Sequence, residues 1–283
     1  MNNGFLLGAL AALSWGVADI LVVQSARRVG FFRTLLTVQA AGVLLLALLA
    51  ALLGENLSLS GGQWAAVAGL GALSVAAYAG FYKALELGPI AIVSPIASAN
   101  GALIVALAVI VLGESVTAGQ AVGIALVLAC VVLAAFEPAS ARIAGGSGIP
   151  LALAAAVAFA LYLFLLTYLA DELGWLLPIL LTRAVAVALM AAFFAARPEA
   201  EPRSLGRNGV LVCAAAGSLD AIGYLFFNRG AEIGEVAITS AAAASYPLIP
   251  ILVGLIAYRE RVAWYQLVGV AGVLVGMVVL SLA

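Results

Sequence analysis

Residues 78–94 read YAGFYKALELGPIAIVS, and residues 224–240, 146 positions on, read YLFFNRGAEIGEVAITS. One shift sets Tyr78 on Tyr224, Phe81 on Phe227, Lys83 on Arg229, Glu86 on Glu232, Gly88 on Gly234 and Ser94 on Ser240. The same shift carries Glu114 onto Glu260, Val116 onto Val262, Gln120 onto Gln266 and Gly123 onto Gly269. Chance pairs the abundant alanines and leucines of such a chain, not its scarce charges. The sequence is therefore an internal duplication.

Working outward, apolar runs fall near 4–24, 33–53, 64–86, 90–112, 117–136, 149–170, 174–196, 209–232, 235–257 and 263–282. Each approaches the ~20 residues that cross ~30 Å of hydrocarbon as a helix. Charge or helix-breaking residues separate them: Ala26-Arg27-Arg28, Gly54-Glu55-Asn56, Gly88-Pro89, Gly113-Glu114-Ser115 and Arg197-Pro198-Glu199. The most polar connector, Glu137-Pro138-Ala139-Ser140 through Gly145-Gly146-Ser147-Gly148, lies at the midpoint and predicts one repeat over 1–140 and a second over 141–283. Each repeat holds five runs, an odd number, so the second enters the membrane from the opposite side. The expected fold is an all-α integral membrane protein: ten transmembrane helices, as two inverted five-helix repeats around a central cavity.

Composition agrees. Of 283 residues, 66% are hydrophobic and 9% charged, against about 45–50% and about 25% in a soluble domain. Net charge is −1 with no basic tail, which removes the electrostatic footprint of a nucleic-acid binder. Histidine is absent, and with it the commonest general base and metal ligand. Cys130 and Cys213 lie in separate apolar runs and read as small hydrophobes rather than a metal or redox pair. Met1-Asn2-Asn3-Gly4 lacks the basic region of a cleaved signal peptide, so the first run is expected to stay as a span. Connectors after odd-numbered spans hold Arg27, Arg28, Arg33, Lys83, Arg142, Arg197, Arg203, Arg207, Arg259 and Arg261, whereas even-numbered ones hold only Arg229. By the positive-inside rule the odd connectors face the cytoplasm and both termini lie outside.

A charge at mid-membrane costs a few kcal/mol, so each one needs a partner, a cavity or an escape route. Asp19, Arg183 and Asp220 are the deeply placed ionisable side chains. They read either as substrate recognition, proton coupling or gating, or as a structural ion pair of Arg183 with an aspartate. Lys83 with Glu86 and Arg229 with Glu232 are three residues apart near helix ends and read as interface pairs. Glu114 and Glu260 read as turn residues that cap exposed amides. Paired carboxylates for glycosidic chemistry, a phosphate loop and a serine-centred elbow are absent from the sequence.

Trp15, Tyr78, Tyr82, Asn100, Phe159, Tyr162, Tyr224, Asn228 and Tyr246 fall inside spans, where the aromatic belts of the interface do not account for them. Tyr78 and Tyr82 are one turn apart, and Tyr224 and Asn228 occupy the matching positions, so both repeats point a polar stripe the same way. A shared cavity is expected between them. Ser94-Pro95, Ser98-Ala99-Asn100-Gly101 and Ser245-Tyr246-Pro247 with Pro250 are expected to loosen the fourth and ninth helices and free backbone carbonyls.

Leu13-Ser14-Trp15-Gly16, Ala84-Leu85-Glu86-Leu87-Gly88-Pro89, Leu112-Gly113-Glu114 and Gln120 in the first half resemble the EamA-type carriers of the drug/metabolite transporter superfamily. Ala158-Phe159-Ala160-Leu161-Tyr162, Pro247, Glu260 and Gln266 repeat the theme in the second. The resemblance implies a secondary transporter, not an enzyme, that exports small metabolites such as amino acids, aromatic ones among them, by alternating access across the bacterial inner membrane. It implies a pocket drawing on Trp15, Tyr78, Tyr82, Ser98, Asn100, Phe159, Tyr162, Tyr224, Asn228, Ser245 and Tyr246. The stretch Ser98-Ala99-Asn100-Gly101 is less bulky than in aromatic amino acid exporters. The expected partners are a small-molecule substrate and the lipid bilayer, with no cofactor and no metal, and the expected state is a monomer. Family members commonly keep both termini in the cytoplasm, opposite to the loop-charge count. The alternative is an integral-membrane transferase or hydrolase using Asp19 and Asp220.

Overall fold

The computed structural model describes residues 3–112, 117–135, 148–196, 205–233, 242–243 and 245–282. Its helices are α1 (Asn3–Val29), α2 (Phe31–Leu53), α3 (Gly61–Leu87), α4 (Ile90–Ser98), α5 (Asn100–Leu112), α6 (Ala118–Ala135), α7 (Ile149–Leu173), α8 (Leu177–Ala196), α9 (Arg207–Ile233), α10 (Leu248–Ile256) and α11 (Trp264–Leu282). No strand occurs among the described residues. The expected turns at Gly113-Glu114-Ser115 and Arg197-Pro198-Glu199 and the join at 137–147 lie outside them, as does the Glu232 side chain.

Five helices, Gly4–Arg28, Phe31–Leu53, Gly61–Leu87, Ile149–Leu166 and Arg207–Gly230, are long and apolar enough to cross a bilayer. Large apolar side chains stand on the outer surface: Leu44 is 73% exposed, Leu52 75% and Ile110 79%. Such a surface suits hydrocarbon rather than water.

The packing follows the duplication. α1 lies along α9 and α7 along α3; α2 packs on α9 and α8 on α3; α10 touches α1 and α5 touches α7. Each pair becomes the other when the halves are exchanged. α2 with α8 and α6 with α11 map onto themselves. The internal geometry repeats too. The fourth apolar run is broken at Ala99, where Ala99 N bonds Ile96 O at 3.3 Å and Ala102 N bonds Ala99 O at 3.1 Å. At the matching place Ser245 N bonds Ala242 O at 3.2 Å and Leu248 N bonds Ser245 O at 3.0 Å. Pro95 lies inside α4, and its missing N–H already weakens that turn. All nine residues of α4 are buried, so the irregular backbone sits within protein.

Contacts between connectors sort them onto two faces. On one, Arg27 at the end of α1 donates to Leu85 O at 3.2 Å, to Gly88 O at 2.7 Å and to Glu260 Oε1 at 3.1 Å. Gly148, with a φ of 74°, leads into α7 against the backbone of Ala84, where a Cβ would collide. On the other face, Gln63 closes a capping box with Ser60 at the start of α3 and donates to Glu172 near the end of α7 at 2.8 Å. There Asn228 donates to Trp175 O at 3.2 Å.

Glu260 was expected to cap the helix that follows it. It instead reaches across the halves to the start of α4, accepting from Ile90 N and Ala91 N at 3.1 Å each. Pro89 precedes those amides, so the first turn of α4 has no side-chain cap of its own. Arg259 turns the chain with a φ of 52°, a conformation that costs a residue with a Cβ roughly 1 kcal/mol. Glu260→Ala removes the acceptor for two helix amides and for Arg27, and is expected to lower the unfolding free energy by about 2–3 kcal/mol. Denaturant titration in detergent reads this; an unchanged midpoint would mean that the clasp adds no stability.

Candidate functional site

Asp220 is at the midpoint of α9, about 20 Å along the helix from either end. Arg183 is six residues into α8, about 9 Å from its start, nearer one rim than the expected mid-span position. Its long side chain runs inward instead and is 2% exposed. Nη2 meets Asp220 Oδ2 at 2.5 Å and donates to the Tyr78 hydroxyl at 3.3 Å, while Nη1 donates to Gln39 Oε1 at 3.1 Å. The Tyr224 ring lies 5.1 Å from the guanidinium carbon, a cation–π contact. Four helices thus converge on one cation: α2, α3, α8 and α9. Glycine makes the room. A Cβ on Gly42 would lie 3.0 Å from Arg183 Nη1, and one on Gly217 would strike the carbonyl of Val38.

Aromatic rings close round this pair. Trp15 donates its indole N–H to Asp220 O at 3.2 Å and meets Tyr224 and Tyr246 edge-on at 5.3 and 6.1 Å. Tyr78 meets Phe159 at 4.9 Å and Tyr82 at 5.9 Å, and the Tyr78 and Tyr224 hydroxyls are 3.4 Å apart. Asp19, 9% exposed, accepts from the Ser94 hydroxyl at 3.1 Å. At the broken helices Ser98 donates to Pro95 O at 2.8 Å, Asn100 to Ala97 O at 3.0 Å and Ser245 to Ala242 O at 2.6 Å. These side chains occupy the carbonyls that the breaks release. Ser98 also shares a hydrogen bond with Tyr246.

Of the residues singled out from sequence, Trp15, Tyr78, Tyr82, Phe159, Tyr224 and Tyr246 come together with Arg183 and Asp220. Tyr162 stands beside them, its hydroxyl 3.0 Å from Thr182, the neighbour of Arg183. Asn228 does not join: it bonds Trp175 O near the rim. Matched positions are therefore not matched in role, because Tyr82 is 3% exposed inside while its counterpart ties down the turn between α7 and α8. Gln39 was not singled out, though an amide within the apolar run 33–53 was the available signal. Thr182, Gly42 and Gly217 gave none.

Arg183, Tyr78 and Tyr82 are buried where the cavity was expected. Two lateral grooves open elsewhere, one of 460 Å³ that includes Gln63, Leu70, Tyr168 and Glu172, and one of 430 Å³ that includes Phe31, Gly80, Lys83 and Ala155. Neither is lined by Arg183 or Asp220. Around Arg183 the central site is closed off in this conformation, while the Asp220 side chain keeps 15% exposure.

The EamA-like transporter family matches the chain twice, over residues 2–136 and 146–282. The chain belongs to that family. It is thus a membrane transporter of the drug/metabolite transporter superfamily, carrying the family's domain in two copies. A protein of solved crystal structure is 21% identical, with a TM-score of 0.68 and 99% of each chain covered. That likeness concerns the fold. No curated protein matches the sequence.

In this EamA-like transporter the central guanidinium of Arg183 is neutralised by the carboxylate of Asp220. Among the described residues no three His, Cys, Asp or Glu side chains gather as a metal site would require. Removing one partner of a buried pair strands the other charge, which costs about 3–5 kcal/mol, whereas replacing both is often neutral. Asp220→Ala is expected to show that loss in denaturant unfolding, and Arg183→Met combined with Asp220→Leu to recover most of it. Additive losses in the double variant would contradict a coupled pair.

Proposed function

We propose that the chain is a secondary transporter exporting small metabolites, amino acids above all, by alternating access across the bacterial inner membrane. The observation that carries this reading is a buried set of opposite charges, Arg183 with Asp220 and Asp19 nearby, ringed by Trp15, Tyr78, Tyr82, Phe159, Tyr224 and Tyr246 between the halves. An amino acid needs complements for a carboxylate, an ammonium and a side chain of some apolar area, and these groups supply all three kinds. Ser98, Asn100, Tyr162 and Ser245 border that site, and Asn228 stands outside it as a tie between helices.

The architecture we infer is ten spans, α4 with α5 forming one of them, in two halves divided at 140/141 and working as a monomer. Opposite orientation of the halves is supported by the ends of α1 and α7. α1 finishes where Arg27 meets Leu85, Gly88 and Glu260, and α7 begins on that face beside Ala84. The same face carries Arg27, Arg28, Arg33, Lys83, Arg207, Arg259 and Arg261, which we assign to the cytoplasm on the positive-inside rule. Asp19 is our candidate for coupling to protons. Among the described residues its hydrogen-bond partner is the Ser94 hydroxyl, a neutral group that brings no opposite charge to the carboxylate.

Purified protein in proteoliposomes is expected to move at least one labelled amino acid from a broad panel, with flux driven by a pH gradient. In Asp19→Asn the gradient response should vanish while insertion is retained. No flux for any solute would sink the carrier reading, and an intact gradient response in the variant would remove Asp19 from coupling.

A further inference from the structure

The broken helices, the packing pairs and the aromatic stripe of this fold are doubled, but its charged centre is not. Under the 146-residue shift Arg183 corresponds to Thr37, Asp220 to Ser74 and Gln39 to Val185. Arg183 and Asp220 lie in the same half, so their pairing does not itself join the halves; Gln39 and Tyr78 reach the guanidinium from the other half. A single copy gives a near-symmetric cavity one cationic pole, as a ligand with two unlike ends requires.

The hydrogen bonding of that pole is incomplete. Asp220 meets the guanidinium through one oxygen only, and the remaining acceptors are a phenol and an amide, both neutral. The two-pronged mode that makes arginine the preferred carboxylate receptor is unused. Gln39 is 1% exposed and turns Oε1 to Arg183, and its Nε2, a buried donor, has no partner among the described residues. An amide N–H held out of water without an acceptor costs about 1–3 kcal/mol. Gly42 and Gly217 keep the space that lets the guanidinium lie between α2 and α9.

We propose that Arg183 and Gln39 form a receptor for the substrate's carboxylate, and that Asp220 fills it in the closed state as a built-in stand-in. The assignment rests on the carrier reading above and narrows its substrate class to organic acids, amino acids and their oxo-acid counterparts included. Recognition runs through the carboxylate rather than through the ammonium. Substrate binding exchanges one carboxylate for another at Arg183, so the cation is paired whether the site is loaded or empty. Asp220 swings off as the substrate arrives, which loosens the tie of α9 to α8 only when a carboxylate has replaced it.

The test compares matched compounds on the wild-type protein in proteoliposomes: an L-amino acid, its 2-oxo acid, its amide and its decarboxylated amine, each competing with uptake of the labelled amino acid. The acid and the oxo acid should compete at similar concentrations, with the amide and the amine about 10- to 100-fold weaker, since a charge-assisted hydrogen bond is worth about 1.5–3 kcal/mol. Asp220→Asn removes the internal competitor and should tighten carboxylate binding about tenfold, read by thermal stabilisation of the purified protein. Arg183→Gln with Asp220→Asn keeps the core neutral and foldable, and should abolish the preference for acid over amine. Equal competition by amine and acid in the wild type, or a preserved acid preference in the double variant, would overturn the assignment and leave the carrier reading standing. Absence of flux with every compound would overturn both.

Discussion

A guanidinium taken out of water demands a compensating anion and acceptors for its remaining protons, because the desolvation of an ion amounts to several kcal/mol. Arg183 imposes that demand at the centre of this protein. Asp220 answers it from α9, Tyr78 from α3 and Gln39 from α2, so the helices meeting there come from both halves. The close approach of α2 to α9 at Gly42 and Gly217 and the ring of aromatic side chains are arranged round it. In a carrier such a group also has to change partners, and a pair held by one oxygen changes more readily than a two-pronged one.

The second tie between the halves lies at the rim. Glu260 caps α4, and Arg27 holds both Glu260 and the α3 end. Opening the site on that face requires these contacts to separate, and its partner contact of Gln63 with Glu172 belongs to the opposite face. Polar ties at the two ends and an ion pair between them are the elements that an alternating mechanism needs.

Much of this was legible in the sequence, for physical reasons. Hydrocarbon sets the length of a span, so the ends of the apolar runs agreed with the helices to within a few residues, as at 149–170 against α7. The 146-residue shift carried over to the break at Ala99 and Ser245 because the same i to i+3 bonding recurs there. The aromatic residues inside spans did gather. What could not be read was pairing across the halves. Glu260 reached the far half because the turn at Arg259 aims it there, and no spacing along the chain encodes that direction. Asn228 sits at a matched position, yet it faces the Trp175 carbonyl, since a repeat fixes helix position more strongly than side-chain role. Gln39 went unnoticed because one amide in an apolar run carries no motif.

The central claim is that the closed cluster opens to one side of the membrane and then the other. Ser98→Cys, in a chain whose Cys130 and Cys213 are replaced by alanine, puts a thiol at the broken helix beside Tyr246. An impermeant thiol reagent is added either outside or inside sealed vesicles of known protein orientation. The account predicts labelling from each side in separate experiments, slowed in both by a transported amino acid. Labelling from one side alone, or from neither, would contradict it.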